Sequence, residues 1–357
     1  MKEQPFFSIV MPVYGVEAYI EHAILSIMKQ TYQDWEIVIV NDCSPDTSVK
    51  IAEQMAGKDN RIRIIHHEKN QGLSAARNTG IREAAGKYVW FMDPDDYVDA
   101  DVLEKVKTSL NKNPAEVVMF GLIEEYYDQN GELDYTHAIR PIEQLYDNQE
   151  ELRNAVIHYE QETLYGYAWN KIYSLQYLKE NHFLYQNVKL IEDIEFNIRF
   201  FMDIRRLNVL GITPYHYAKR LSANLTNKFV PEYFEVHRRR IELLYEQHKY
   251  WNLCTEEVRQ TLGSLYGRYI VSALERNCDK RSGMSHTRRY RWCRAVFCDG
   301  LFEDLIPSAR AKDSKVLSIA LVLLRWKKTM LCLMMGRGIH VIRGGMPMLY
   351  SKVKSGR

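Results

Sequence analysis

The first hundred residues alternate between short apolar runs and helical patterns, and this alternation constrains the fold more than any other feature of the sequence. The apolar runs cover residues 6–14, 36–42, 61–68 and 87–93, and they are rich in residues that favour β-strands. Strand and helix alternate about every 25 to 30 residues, which is typical of βαβ units. The sequence therefore predicts an α/β fold with a mostly parallel, Rossmann-like central sheet flanked by helices.

Polar residues follow each of these predicted strands. In parallel sheets ligands bind beyond the carboxyl ends of the strands, so these polar residues are expected to share one crevice. Taken alone, the Asp-Pro-Asp-Asp stretch fits a type I turn, and Asp42 and Asp46 fit turn or cap positions. A turn needs one aspartate rather than three, however, and the four groups together predict a ligand site: Pro12 to Tyr14, Asn41 to Asp46, Glu68 to Ser74, and Asp93 to Asp96.

Two common phosphate-binding motifs are missing from the sequence. No GxGxxG follows the first predicted strand, and no GxxxxGK[ST] occurs in the chain. Dinucleotide-binding and P-loop functions therefore lose support. The acidic strand ends favour a divalent cation instead, because Mg²⁺ or Mn²⁺ commonly bridges one or two carboxylates to substrate phosphates.

Three ordered segments resemble the family 2 glycosyltransferases, which have the GT-A fold. The resemblance is dense over about residues 6–105 and extends more loosely to about residue 227. It implies a nucleotide-sugar donor, most often UDP-linked. The segments that carry it are SIVMPVYGVEAYIEHAILSIMKQTYQDWEIVIVNDCSPDTS (8–48), NQGLSAARNTGI (70–81) and GKYVWFMDPDD (86–96).

The resemblance also implies roles for donor-side residues of this chain. Pro12, Val13 and Tyr14 would lie against the nucleoside. Asp42 would hydrogen-bond the uracil ring, and Arg77 would approach the nucleotide or the donor sugar. These five residues are the expected donor contacts from the first three strand ends.

Asp93 and Asp95 match the DXD motif of the family. Asp93 would face the ribose and the donor sugar, and Asp95 would be the main ligand of a Mn²⁺ or Mg²⁺ ion that Asp93 also binds. Pro94 stands where the family often has Ser or Ala, and a proline there stiffens the turn without touching the carboxylates. Asp96 is expected only to cap the segment that follows.

Glu192 and Asp193 precede an amphipathic helix and are candidates for the catalytic base. An inverting transfer needs a carboxylate that takes the proton from the acceptor hydroxyl. An isolated Glu-Asp pair is also explained by the helix dipole, which each acid stabilises by about 0.3–1 kcal/mol. The family carries a similar pair after its DXD motif, which implies Asp193 as the base and Glu192 as its supporting neighbour; Glu192 as the base is the alternative.

A later segment, PYHYAKRLSANLT (214–226), resembles the part of the family that holds the leaving diphosphate. Arg220, together with Ser222 or Thr226, would contact the phosphates, since Arg suits bidentate phosphate binding. His216 could complete the metal site, but a structural histidine with satisfied hydrogen bonds is the more common arrangement.

The sequence predicts three regions. A GT-A catalytic domain covers residues 1–227, with a donor-binding half over about 1–105 and an acceptor half over about 106–227. Residues 228–308 show helical patterns, and residues 309–357 form a basic amphipathic tail.

The tail differs in charge from the rest of the chain. It contains eleven Lys or Arg against one acid, so it carries +10, while the other 308 residues carry −8 of the net +2. Its first apolar run holds about nine residues, too few to span a bilayer, which takes roughly 20. An interfacial helix on an anionic membrane fits this pattern. The alternative is packing on the catalytic body or on a second subunit of a homo-oligomer.

Together these features predict a cytoplasmic, peripheral membrane enzyme. It would be a metal-dependent, inverting glycosyltransferase that acts on a glycan or lipid-linked acceptor in bacterial surface polysaccharide synthesis. The six cysteines form no CxxC pair and are expected to be reduced, and no motif supports nucleic-acid binding. One alternative function is that of a sugar-nucleotide pyrophosphorylase, which requires a Gly-rich basic signature after the first strand. The other is that of a non-catalytic nucleotide-sugar-binding or membrane-scaffold protein.

Overall fold

The computed structural model describes residues 4–188, 190–220, 230–311 and 314–345. The chain divides into two compact units, residues 1–227 and 228–357. Two of the predicted phosphate contacts, Ser222 and Thr226, lie outside the described residues.

The first unit is built on a ten-stranded sheet. Its strands are β1 (Phe7–Val13), β2 (Trp35–Asn41), β3 (Ile62–His66), β4 (Tyr88–Phe91), β5 (Tyr97–Val98), β6 (Val117–Tyr127), β7 (Leu133–Ile139), β8 (Gln144–Tyr146), β9 (Lys171–Ser174) and β10 (Leu207–Arg220). Its helices are α1 (Ile20–Met28), α2 (Ser48–Ala56), α3 (Leu73–Glu83), α4 (Val102–Lys112), α5 (Gln149–Gln161), α6 (Leu175–Glu180) and α7 (Glu192–Phe201).

The strands lie in the order β3-β2-β1-β4-β9-β6-β10-β5, with β7 paired to β6 and β8 paired to β10. The first four strands of this order are parallel, and so is the pair β6–β10. Strand β9 runs antiparallel to both β4 and β6, which joins the parallel half to a mixed half. Every residue of β1 and β2 is buried, as expected for strands with helices on both faces.

Helix α3 packs directly on β1. A Cβ atom added to Gly80 would lie 2.1 Å from the Cγ1 atom of Val10, so only glycine permits this approach. The contact fixes the helix that carries Arg77 against the strand that ends at the predicted nucleoside segment.

The second unit is helical. Helix α9 lies at its centre, because α8, α11, α12 and α13 all pack on it. Two glycines allow the closest approaches: a Cβ on Gly263 would lie 2.3 Å from the Leu305 carbonyl oxygen, and one on Gly336 would lie 2.7 Å from that of Leu274. The helices are α8 (Tyr233–Tyr250), α9 (Glu256–Arg276), α10 (His286–Phe297), α11 (Gly300–Leu305), α12 (Lys315–Arg325) and α13 (Thr329–Gly345).

The α/β class with a helical C-terminal region, predicted from the sequence, is confirmed. Within the described part of the chain, no helix has both the length and the apolar character needed to cross a membrane. All six cysteines are free.

Candidate active site

The predicted nucleoside segment lies at the carboxyl end of β1. Pro12 and Val13 are the last two residues of the strand, and both are buried. Tyr14 follows directly, and 54% of its surface is exposed. Of the three, only Tyr14 presents an accessible side chain, while the other two hold the strand end in place.

Asp42 follows β2 and supports the start of α3. It is 3% exposed, and its carboxylate accepts hydrogen bonds from the backbone N–H groups of Gln71 (2.8 Å) and Gly72 (2.7 Å). The same carboxylate lies 2.7 Å from Nδ1 of His67. Gly72 has φ of +88°, a conformation that favours glycine, and it is the residue before α3. Asp42 therefore positions the helix that carries Arg77, a contact that the sequence did not reveal.

Asp46 organises the neighbouring loop. Its carboxylate accepts hydrogen bonds from the hydroxyls of Ser44 and Ser48, each at 2.6 Å, and from the N–H groups of Glu17 (2.9 Å) and Ser48 (3.1 Å). Partial burial works against ionisation, but these hydrogen bonds outweigh it and lower the pKa of Asp46 to about 2. Asp46 thus accepts the N–H of Ser48, the first residue of α2, and ties this helix to the loop after β1.

Arg77 joins the two parts of the predicted site. The side chain is 1% exposed, and its Nη2 donates to Oδ1 of Asp93 at 3.0 Å while its Nη1 donates to Oδ1 of Asp193. The ring of Tyr185 lies 5.2 Å from its guanidinium carbon. Burial disfavours the charged guanidinium, but Asp193 and Asp93 outweigh it and raise the pKa of Arg77. One buried cation is therefore shared by a DXD carboxylate and the predicted base.

Asp93 and Asp95 both resist ionisation. Burial, with the charges of Asp95 and Asp193, raises the pKa of Asp93 to about 7 even though Arg77 opposes the shift. Burial also raises the pKa of Asp95. Among the described residues, no side chain donates a hydrogen bond to the Asp95 carboxylate. Two such carboxylates, one without a side-chain donor, match the chemistry of a site that takes a divalent cation.

The protein contribution to that cation site is small. Nowhere in the part of the chain that the structure describes do three or more His, Cys, Asp or Glu side chains form a group suited to a metal ion. Mg²⁺ commonly binds through one or two carboxylates and completes its shell with water and substrate phosphates. Asp93 and Asp95 fit this type of site and do not fit a metal cage made by protein alone.

Asp96 has a structural role that the sequence analysis missed. It is 2% exposed and accepts hydrogen bonds from the Tyr215 hydroxyl (2.8 Å) and the Ala218 N–H (2.9 Å). The Tyr215 oxygen in turn accepts a hydrogen bond from the Asp93 N–H at 3.3 Å. Asp96 and Tyr215 therefore pin the Asp-Pro-Asp-Asp turn to β10. The only signal in the sequence was that the segment contains three aspartates, whereas a turn needs one.

Glu192 and Asp193 are the first two residues of α7, whereas the sequence pattern placed them just before the helix. Asp193 accepts the Ala168 N–H at 3.3 Å on one oxygen and Arg77 on the other. Burial and the neighbouring Asp193 charge raise the pKa of Glu192, against the pull of Arg77. The two acids therefore differ: Asp193 has a cationic partner, whereas no described side chain donates a hydrogen bond to Glu192.

Two fully buried polar side chains shape the loop that contacts Asp193. Lys171 Nζ donates to the carbonyls of residues 164, 165 and 167, and Asn197 Nδ2 donates to those of residues 165, 166 and 167. Both side chains are 0% exposed. They fix residues 164–168 and hence the Ala168 N–H that Asp193 accepts. No local signal in the sequence pointed to this arrangement.

Arg220 lies beside the DXD turn. Its Nη1 donates to the Asp95 carbonyl at 3.0 Å, and its guanidinium carbon lies 3.9 Å from the ring centroid of Tyr19. His216 contacts Glu125 (2.8 Å) and Asp99 (3.1 Å), so both of its ring nitrogens have carboxylate partners. Of the two sequence interpretations of His216, the structural one holds.

Comparison with known proteins shows which families and proteins this chain is similar to. Residues 8–180 match the family described as glycosyl transferase family 2. The uncharacterized glycosyltransferase EpsJ of Bacillus subtilis is 35% identical over 218 residues, which cover 60% of this chain and 61% of that protein. Poly(ribitol-phosphate) beta-N-acetylglucosaminyltransferase TarS of Staphylococcus aureus is 28% identical over 239 residues, covering 65% of this chain and 39% of that protein.

The fold is shared with a solved structure. The crystal structure of S. aureus TarS 1-349 in complex with UDP-GlcNAc matches with a TM-score of 0.60 over 95% of this chain and 92% of that chain, at 22% identity. The likeness establishes the GT-A fold. The family resemblance that the sequence motifs carried is thereby confirmed.

Proposed function

Residues 8–180 form a domain of glycosyl transferase family 2, and we propose that the chain transfers a sugar from a UDP-linked donor to a hydroxyl group of a glycan or lipid-linked acceptor. The setting is the synthesis of a bacterial surface polysaccharide. Support comes from the similar bacterial glycosyltransferases and from the shared fold of a structure that holds UDP-GlcNAc.

One observation carries the proposal: Arg77 contacts Asp93 and Asp193 together. Asp93 belongs to the DXD motif, where the donor is expected, and Asp193 belongs to the pair that includes the base. In these salt bridges Asp93 and Asp193 contact one guanidinium, which supports their roles as the donor carboxylate and the base. A donor sugar and an acceptor hydroxyl therefore meet beside Arg77.

The chemistry follows from these positions. Asp193 takes the proton from the acceptor hydroxyl while the acceptor oxygen attacks the anomeric carbon of the donor sugar. The nucleoside diphosphate leaves from the opposite face of that carbon. Attack opposite the leaving group inverts the anomeric configuration, so an α-linked donor gives a β-glycoside. Arg220, next to the DXD turn, contacts the leaving diphosphate. Asp95 and Asp93 would hold a divalent cation, which would supply positive charge to the diphosphate.

The two alternative functions have less support. The Gly-rich basic signature expected of a sugar-nucleotide pyrophosphorylase is missing after β1 of this chain. The match to glycosyl transferase family 2 favours sugar transfer instead. A non-catalytic binding protein would have no use for a base that is hydrogen-bonded by Ala168 and paired with a buried arginine. Activity measurements separate this last alternative from an enzyme.

The catalytic assignment is tested by Asp193→Asn. We expect transfer to fall by about 10²–10⁴-fold, the usual contribution of a general base, with the affinity for the UDP-sugar unchanged. A panel of UDP-sugars is first ranked by hydrolysis or thermal stabilisation, and the best one is used for kinetics and calorimetry. Asp304→Asn, at an exposed site in the second unit, is the control. Unchanged turnover would refute the assignment, and a larger loss in Glu192→Gln would make Glu192 the base.

The metal assignment is tested separately by Asp95→Ala. Donor binding in wild type is expected to strengthen with Mn²⁺ and to weaken with EDTA, and the variant is expected to lose this difference. Calorimetric titration of the UDP-sugar with and without EDTA measures it. Equal EDTA sensitivity in wild type and variant would contradict a role for Asp95 in metal binding.

The second unit carries a surface that fits an anionic membrane. Helices α12 and α13 bury Leu317, Leu321 and Leu324 but expose a row of apolar side chains. Folded proteins rarely leave so many large apolar groups in water without a partner. We call this exposed set the C-terminal face: Val316, Ile319, Val322, Trp326, Met330, Leu331, Met334, Val341 and Ile342.

Charge favours lipid as the occupant of the C-terminal face. Residues 314–345 contain six Lys or Arg and no Asp or Glu. Lys328 and Arg337 are exposed and form no ion pair with any other described residue. Apolar side chains beside unpaired cations match the boundary between acyl chains and anionic headgroups. We therefore propose that the chain is a peripheral protein of the inner membrane face, which suits a lipid-linked acceptor.

Vesicle flotation tests the C-terminal face. In the double variant Trp326→Asp/Met334→Asp, binding to phosphatidylglycerol-containing vesicles is expected to fall at least about tenfold. The reason is that a charge replaces each of two apolar side chains that the proposal places in the membrane. Ile142→Asp, at a site 84% exposed in the first unit, is the control. Wild-type protein that ignores these vesicles, or that forms a dimer which the same double variant disrupts, would show that a second subunit covers the face instead.

A further inference from the structure

Four tyrosines and one lysine form a continuous surface beside the predicted base. The ring centroids of Tyr167 and Tyr217 lie 6.2 Å apart. Lys219 Nζ lies 5.4 Å from the ring centroid of Tyr217 and 4.9 Å from that of Tyr126. Tyr126 stacks on Tyr135 at 4.2 Å, with the ring planes 11° apart. We call these five residues the tyrosine ledge.

The sheet holds the ledge in a fixed row. Lys219 on β10 is paired with Tyr126 on β6, which is paired with Tyr135 on β7. Tyr217 lies two positions before Lys219 and so shares its face of β10. Trp169, which is only 3% exposed, stacks with Tyr167 at 4.4 Å and lies 5.2 Å from Tyr217. The ledge is therefore preorganised by strand pairing and by a buried ring.

The exposed rings set the ledge apart from the hydrophobic core. Tyr135 is 50% exposed, and Tyr126, Tyr167 and Tyr217 are partly exposed. By contrast, the adjoining Tyr215 is 0% exposed and is committed to Asp96. Each of the residues 133–138 of β7 is exposed, so no described element covers Tyr135.

One end of the ledge adjoins the reacting groups. Ala168, next to Tyr167, donates its N–H to Asp193. Ala218, next to Tyr217, donates its N–H to Asp96 of the DXD turn. From this end the ledge extends across β10 and β6 to the exposed strand β7. A chain-like ligand whose end reaches Asp193 would therefore lie over the tyrosines.

The chemistry of the ledge suits sugar rings. The face of an aromatic ring carries partial negative charge, which attracts the C–H groups on the flat face of a pyranose. Polar groups stand beside the rings: Lys219 contacts Glu124, and Glu124 accepts the Tyr126 hydroxyl at 2.8 Å. These groups supply donors and acceptors for sugar hydroxyls. The donor nucleoside is expected elsewhere, at the ends of β1 and β2.

We propose that the tyrosine ledge binds the acceptor glycan, contacting sugar units next to the one that Asp193 deprotonates. The inference rests on the proposed glycosyltransferase function and adds a substrate class: an acceptor of at least two sugar units. An acceptor that is a single sugar would leave Tyr126 and Tyr135 without a ligand.

Binding measurements on the full chain test the ledge. An array of bacterial polysaccharide fragments is screened in the presence of UDP and Mn²⁺. The best oligosaccharide and the methyl glycoside of its terminal sugar are then titrated by calorimetry. Tyr135→Ala is expected to weaken oligosaccharide binding by about three- to tenfold, the value of one lost ring contact, and Tyr135→Phe to restore it. The methyl glycoside and the UDP-sugar are expected to bind Tyr135→Ala as they bind wild type.

Each outcome decides between explanations. Tyr290→Ala, at a site 36% exposed in α10, controls for the loss of a surface ring. Equal oligosaccharide affinity in wild type and Tyr135→Ala would overturn the proposal, and so would wild-type protein that binds the UDP-sugar but no fragment. Wild-type protein that binds no nucleotide sugar would instead refute the proposed function itself.

Discussion

The donor side and the acceptor side of the site are built in different ways. On the donor side, Asp93, Asp95 and Asp96 come from one short turn after β4. On the acceptor side, Asp193 depends on residues far away in the chain: Ala168 lies 25 positions before it and Arg77 lies 116 positions before it. The first arrangement is local and visible as a motif, whereas the second exists only once the sheet is assembled.

The two sides also differ in how they balance charge. Burial raises the pKa values of Asp93 and Asp95, because the protein supplies too little positive charge to stabilise both carboxylates. A cation that binds together with the substrate can supply it. Beside Asp193 the chain places its own buried cation, Arg77. The comparison teaches that the donor side is completed by ligands, while the acceptor side is completed by the protein. Three substitutions test this difference.

Arg77→Met should have the largest effect, because it removes the one cation that both sides share. Two partly buried carboxylates would lose their cationic partner, and breaking such a pair costs about 3–5 kcal/mol in the free energy of unfolding. We also expect transfer to fall by about a thousandfold, from lost positioning and charge. Urea unfolding and steady-state kinetics measure these losses.

Two variants control for this experiment. Arg82→Met removes an exposed arginine from the same helix and should change neither quantity. Arg77→Lys keeps the charge but lacks the planar fork that reaches two carboxylates, so we expect little recovery of activity. Near-normal turnover in Arg77→Met would show that the two sides work independently.

Lys171→Met should affect only the acceptor side. The side chain is fully buried, and burial lowers the pKa of Lys171 despite the charges of Asp193 and Glu160. Its loss leaves carbonyl groups of residues 164, 165 and 167 without this donor, which costs about 1–3 kcal/mol for each group that stays unsatisfied. We expect lower stability and slower transfer with unchanged donor affinity.

Urea unfolding and calorimetry of the UDP-sugar measure the Lys171 effects, with Lys50→Met, at an exposed site on α2, as the control. Weaker donor binding in Lys171→Met would contradict the separation of the two sides. Unchanged transfer would show that the loop at 164–168 does not need Lys171 to place Ala168.

Asp46→Asn should have the smallest effect, because it touches only the support of the donor side. The folded pKa of about 2 lies below the ordinary value of 3.8. Such a group stabilises the fold above its unfolded pKa, and the contribution is lost as the pH falls through the folded pKa. We therefore expect the variant to lose about 1 kcal/mol at pH 7, the usual cost of a lost cap, and less towards pH 2.

Urea unfolding of wild type and Asp46→Asn at pH 7, 4 and 3 measures this dependence. The difference between the two proteins should shrink as the pH falls. A difference that stays constant over this range would mean that the Asp46 carboxylate is not held in its charged form by Ser44 and Ser48.

The fold was largely predictable, and the acidic turn after β4 was visible in the sequence. The apolar runs at 6–14, 36–42, 61–68 and 87–93 predicted the first four strands to within about two residues. The roles of Asp93, Asp95, Arg77 and Asp193 remain predictions from family motifs, although the structure brings Arg77, Asp93 and Asp193 into contact.

Other contacts were not predictable, because they depend on distant strands. Asp96 appeared to be a cap until β10 brought Tyr215 to it. Lys171 and Asn197 looked like ordinary residues of a strand and a helix, since nothing local reveals which carbonyl groups will face them. The tyrosine ledge is drawn from β6, β7, β10 and the segment before β9, and no spacing rule connects these segments.

The sequence by itself determined the strand and helix pattern, the acidic turn after β4 and the basic apolar C-terminal segment, because hydrophobic period and local turn chemistry act between neighbours in the chain. The tertiary structure decided which charges are shared, which polar groups are buried with partners and which tyrosines stay exposed. Those outcomes depend on desolvation and on pairing between groups that only the assembled sheet brings together.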